Sequence, residues 1–184
     1  MRHVEYLKNL GACSDAVAYA ETQPTMQAAW DNCKRPDWML WLVQKAEAET
    51  QIPDLPKILQ LYACWCVRNT PLADGRKVWD LLTDKRSRNA VEVSERFANG
   101  QATQQELAAA GAAAGAAAWA AAWAAAGDAA GAAAWAAAWA AAWDAAWDAA
   151  WAAARAAAWD AAWDAAWAAQ ANQLRLVIPK FTME

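Results

Sequence analysis

The sequence predicts an all-α protein: an N-terminal bundle of short helices packed on one or two long Ala/Trp-rich helices with a four-residue repeat. Three observations predict it. No alternating Val, Ile or Thr run of strand length occurs in the 184 residues. Residues 107–167 are almost wholly alanine, the strongest helix former, with Gly, Trp or Arg at every fourth position after Leu107. Helix start and stop signals recur through the first hundred residues.

In chain order, PTMQAAWDNC begins a helix with Pro24 in its first turn, and RPDWMLWLVQKAEAE begins another at Pro36. The second has a broad apolar face of Trp38, Leu40, Trp41, Leu42 and Ala46. DLPKILQLYACWCVRN places Ile58, Leu59, Leu61, Tyr62 and Trp65 at three- and four-residue spacings. ADGRKVWDLLTDKRSRNAVEVSERFANG holds one or two helices and ends at Asn99-Gly100, a left-handed C-cap. Thr103 and Glu106 form a capping box that starts the repeat helix, and Pro179 ends any helix beyond it.

Three segments follow: 1–102, the N-terminal helical part; 103–178, the Ala/Trp repeat as a long helix or hairpin; and 179–184, a tail. The first two are expected to form one integrated domain. Trp30, Trp38, Trp41, Trp65 and Trp79 supply more aromatic surface than so short a bundle needs alone.

A period of four has a geometric meaning. Four residues advance a helix by about 400°, so each marked residue lies ~40° beyond the last. The stripe winds right-handed, returning after about nine repeats or ~54 Å, and suits a helix with neighbours on changing sides. Gly111, Gly115, Gly127 and Gly131 would admit a close backbone, while tryptophans fill wider gaps. Trp143, Trp147, Trp151 and Trp159 are expected to be mostly buried, because exposed rings in that number would form an outsized apolar patch. An unbroken helix over 103–173 would be ~105 Å long, against ~40 Å across for a compact chain of this size. A break is therefore expected at Gly127–Gly131, unless the helix projects toward a partner chain.

Asp144, Asp148, Asp160 and Asp164 each precede a tryptophan by three residues, where a carboxylate can accept from an indole N–H. Arg155 takes a stripe position between Trp151 and Trp159, within cation–π reach of both. These five residues are the candidate partner-binding edge. No histidine or glutamate accompanies the aspartates, so neither a metal site nor an acid–base pair is read from them, and no cofactor is expected.

Net charge is −4. Five aspartates and one arginine lie between Leu107 and Ala169; setting them aside from 16 basic and 20 acidic residues leaves the remainder neutral. No basic stripe suggests nucleic acid. The N-terminus has charges where a signal peptide has its apolar stretch. Residues 107–127 are uncharged and long enough to span a bilayer, but they are too rich in Ala and Gly, so a cytoplasmic protein is expected. Cys13, Cys33, Cys64 and Cys66 lack zinc-site spacing and read as buried free thiols, and His3 lies near a flexible end. No Gly-rich phosphate loop or nucleophile motif is present, and the chain reads as a non-enzyme.

GACSDAVAYA, AAWDNCKRPDWMLWL, ERFANGQATQQELAAA leading into the repeat, and AAQANQLRLVI follow one another in an order that resembles the immunity proteins of bacterial polymorphic-toxin loci, with relatives in phage genomes. The resemblance spans about residues 9–178 and is sharpest at Asp37-Trp38-Met39-Leu40-Trp41-Leu42. It implies an antitoxin-like, non-enzymatic protein that neutralises a toxin or defence factor by direct binding, with a protein partner. Two alternatives stay open. One is a phage-encoded anti-defence protein that sequesters a nucleotide-type signal between Trp rings and Arg155. The other is a structural scaffold, a homo-oligomer without a ligand.

Overall fold

The computed structural model describes residues 2–46, 52–72, 74–124 and 161–180. Among these the chain is all-α, with helices α1 (Arg2–Asn9), α2 (Ser14–Glu21), α3 (Met26–Asn32), α4 (Pro36–Lys45) and α5 (Leu55–Asn69). There follow α6 (Val78–Leu81), α7 (Lys85–Ala98), α8 (Gln104–Ala124) and α9 (Ala161–Val177). An isolated antiparallel bridge joins Pro71 and Lys77, and no strand occurs among the described residues. No helix among them is long and apolar enough to cross a membrane.

The ends of these helices follow local chemistry. Thr25 caps α3 by accepting from the Ala28 N–H at 3.0 Å, so Pro24 precedes the helix instead of entering its first turn. Pro36 occupies the first turn of α4, where its missing N–H costs no hydrogen bond. Asp84 caps α7 through the Arg86 N–H at 2.8 Å, and Gly100, with φ of +70°, turns the chain after it. The Thr103–Glu106 box is complete: the Thr103 N–H donates to Glu106 at 2.7 Å and the Glu106 N–H donates to Thr103 Oγ1 at 3.2 Å.

Helix α5 is buried on two sides. Tyr62, Ala63, Cys64, Cys66 and Val67 belong to the main core, and within it Cys64 reaches the Val91 carbonyl on α7. Of the expected set Ile58, Leu59, Leu61, Tyr62 and Trp65, Tyr62 is buried and the other four are half-buried. Side chains at 64 and 66 diverge by about 200°, so a helix between two neighbours can bury both thiols. Cys33, Cys64 and Cys66 are buried and free, but Cys13 is free and exposed at the start of α2. His3 is also corrected: it is buried, and its Nε2 lies 3.1 Å from the Ala20 carbonyl, tying α1 to α2.

Helices α8 and α9 meet the N-terminal bundle at different places. Leu107, Ala110 and Ala114 of α8 pack against Ala90 and Val93 of α7. Ala171, Leu174 and the following Ile178 enter the main core with Trp30, Met39, Val43 and Tyr62. The Trp30 indole donates to the Ile178 carbonyl at 3.2 Å. Arg175 donates to the Trp30 carbonyl at 3.2 Å and to the Cys33 carbonyl, satisfying acceptors left over at the end of α3.

Over residues 104–117, the part of α8 whose side chains are described, burial departs from the four-residue beat. The buried positions there are Leu107, Ala110, Ala114 and Ala117, spaced three, four and three. That rhythm keeps one face against α7, whereas the beat has drifted ~80° off that face by position 115. A Cβ built on Gly115 would meet nothing within 4 Å among the described residues. Gly127–Gly131 and Trp143, Trp147, Trp151 and Trp159 lie outside the described residues.

Candidate functional site

The described residues form a half-open cavity of about 330 Å³ between α1, α2, α3 and α4. Its walls are largely aromatic: Tyr19, Trp30, Trp38 and Trp41, with Met39 and Leu42 between them. The mouth lies by the α1–α2 turn, where Gly11 and Cys13 line the cavity and are exposed. Gly11 has φ of +81°, which reverses the chain between the two helices.

The placement follows from the sequence of α4. Met39, Leu40, Leu42 and Val43 are buried, fixing that helix against the core. Trp38 and Trp41, three residues apart, then fall on a neighbouring arc and are half-buried. The motif Asp37–Leu42 is thus at once a core element and the wall of a cavity.

Two polar side chains of this site, Tyr19 and Asp37, are engaged within the protein. Tyr19 donates to the Ala29 carbonyl at 3.0 Å, and its ring lies 6.0 Å from that of Trp38. Asp37 accepts from Arg35 through both oxygens, from Nε at 2.8 Å and from Nη2 at 2.5 Å. The Arg35 guanidinium lies 4.5 Å from the Trp38 ring centroid and 4.3 Å from that of Trp167. Hydrogen bonding to Asp37 outweighs burial and holds Arg35 firmly charged.

Titration works against chemistry at the walls. Burial, reinforced by Cys33, pushes the Tyr19 phenol up to about 12. Burial likewise raises the Cys33 thiol, against a smaller opposing effect of the Arg35 backbone N–H. Both groups stay neutral near pH 7, and a neutral thiol is a poor nucleophile. No cluster of three His, Cys, Asp or Glu side chains suited to a metal ion occurs among the described residues.

Of the candidate edge, Asp164 is exposed on α9. It stands three residues before Trp167, whose ring rests on Arg35 beside the cavity. Asp144, Asp148, Arg155 and Asp160 lie outside the described residues. The residues that sequence reasoning missed are Tyr19, Cys33 and Arg35. Their signal was indirect: three tryptophans within residues 30–41 are more than a small core can enclose. Compared with family models, with curated proteins and with solved structures, the chain matches none.

Proposed function

We propose that this chain is a non-enzymatic binding protein that neutralises a toxin or defence factor by occupying it. The observation that carries the reading is the tryptophan-walled cavity, where Tyr19 and Asp37 are already bonded within the protein and burial holds Tyr19 and Cys33 neutral. Such a site can receive a group from another molecule but offers no activated nucleophile or base to transform it. The wall is the Asp37–Leu42 stretch in which the resemblance to toxin-immunity proteins is sharpest, and this supports a protein partner. Exposed Asp164 supplies an acidic rim near Trp167, suited to steering a basic partner surface.

The nucleotide-sequestering alternative has less support. The guanidinium beside the cavity, Arg35, is held by both oxygens of Asp37, which balances its charge and lowers its attraction for a phosphate. Co-expression with effectors encoded beside the gene tests the proposal. Protection from one of them, with recovery of a stable complex, is the expected result. Failure to protect against every neighbouring effector, with no complex recovered, would overturn it.

A further inference from the structure

We infer that the cavity between α1 and α4 takes a neutral, planar aromatic group of about two fused rings, and that it excludes phosphate-bearing versions of the same shape. The inference rests on the reading of the chain as a binding protein and adds the chemical class of what is bound.

Size is the first argument. An apolar cavity of about 150 Å³ accommodates a single benzene ring, so one of about 330 Å³ has room for a bicyclic group. The walls are the second. Tyr19, Trp30, Trp38 and Trp41 offer rings for stacked or edge contacts, and Met39 adds a polarisable thioether.

Polarity sets the charge of the occupant. Tyr19, Trp30 and Asp37 have their hydrogen-bonding groups engaged within the protein. A phosphate or carboxylate entering here would lose its water beside a lining carboxylate, Asp37, whose pairing with Arg35 leaves no net positive charge to compensate it. A cation would find the only lining carboxylate already paired. A neutral ring loses little on leaving water.

Pre-formation is the third argument. Arg35 is held between Trp38 and Trp167, and Tyr19 is tethered to Ala29, so two walls are fixed before anything binds. Fixed walls lower the ordering cost of association.

Calorimetric titration of the whole chain tests this with three probes: indole, N-acetyltryptophanamide and adenosine 5′-monophosphate. Indole should bind with a Kd between about 10 µM and 1 mM, the range open to so few atoms. Binding of N-acetyltryptophanamide as well would identify the source as a side chain presented by a partner. Binding of indole alone would identify it as a free small molecule. The nucleotide should neither bind nor compete.

Two variants fill the space from different places: Ala16→Phe from the wall and Cys13→Phe at the exposed mouth. Each should weaken indole binding at least about tenfold, and an unchanged melt of either one certifies the fold. Absence of indole binding up to roughly 5 mM, competition by the nucleotide, or undiminished binding in a folded filled variant would overturn the inference. A chain that binds indole but protects against no effector keeps the inference and loses the proposed function. One that protects but binds no probe loses only the inference.

Discussion

Arg35 and Trp167 stand 132 positions apart in the chain, yet the guanidinium of one lies 4.3 Å from the ring centroid of the other. Trp38 packs near the same cation at 4.5 Å, and Asp37 holds it in place with two hydrogen bonds. The last tryptophan of the repeat is thus seated on the helix that walls the cavity. A cation–π contact of this partly desolvated kind is worth about 0.5–2 kcal/mol. Arg35→Met should therefore lower stability by about 1–3 kcal/mol, part of it from leaving Asp37 unpaired. Arg35→Lys should not restore the loss, because an ammonium cannot match the planar fork. Chemical denaturation of Arg35→Met, Trp167→Ala and the double variant should give a coupling of about 0.5–1.5 kcal/mol. Additive effects would mean that the two side chains do not stabilise each other.

Gln170 is fully buried in α9, and its amide donates to Thr70 Oγ1 at 3.1 Å while its own Oε1 has no hydrogen-bond partner among the described residues. An unmet acceptor in the core is costly, so a shape-conserving apolar replacement should be tolerated. Gln170→Met combined with Thr70→Val should fall within about 1.5 kcal/mol of the parent or exceed it. Gln170→Ala leaves a void as well and should cost about 2–4 kcal/mol. A large loss in the apolar double variant would show that the amide is fully satisfied, with a buried water as the partner to seek.

Local chemistry was legible in the sequence wherever one short stretch decides the outcome. The Thr103–Glu106 box, Pro36 at the start of α4, Gly100 after α7 and the stop before Pro179 are of this kind. What neighbours decide was not legible. On α5 the spacing named Tyr62, which is buried, together with Ile58, Leu59, Leu61 and Trp65, which are only half-buried, because the helix also turns Cys64 toward the Val91 carbonyl of α7. A single helix pattern does not announce two partners. The cavity was hidden for the same reason, since its walls come from four helices and a turn. Only the surplus of tryptophan in residues 30–41 hinted at it.

Alkaline conditions should destabilise the fold through the α5 thiols. Burial raises Cys64 from 9.0 to about 11 and Cys66 from 9.0 to about 12. Above pH 9 the unfolded chain releases these protons while the native chain retains them, so stability falls as pH rises. The protection is complete below pH 9 and is lost progressively toward pH 11 to 12. Each thiol contributes a slope of at most about 1.4 kcal/mol per pH unit. Melting temperatures measured from pH 8 upward should decline more steeply in the parent than in Cys64→Ala/Cys66→Ala. Parallel curves would exclude these thiols as the cause.

Among the described side chains of α8 the buried positions are Leu107, Ala110, Ala114 and Ala117, and two neighbouring positions separate packing on that rhythm from packing on the four-residue beat. Gly115 lies on the beat, half-buried, with nothing among the described residues within 4 Å of where a Cβ would stand. Gly115→Ala should raise stability by about 0.5–1 kcal/mol, since alanine costs less backbone entropy in a helix interior and meets no obstacle. Ala114 is fully buried against the α7 cluster, so Ala114→Leu forces extra volume into a filled interface and should lower stability by about 1–3 kcal/mol. Thermal or urea denaturation of the two variants in the whole chain reads both effects, and their opposite signs are the prediction. If Gly115→Ala were the destabilising change, a backbone would have to lie against position 115. The beat itself would then carry the packing of α8.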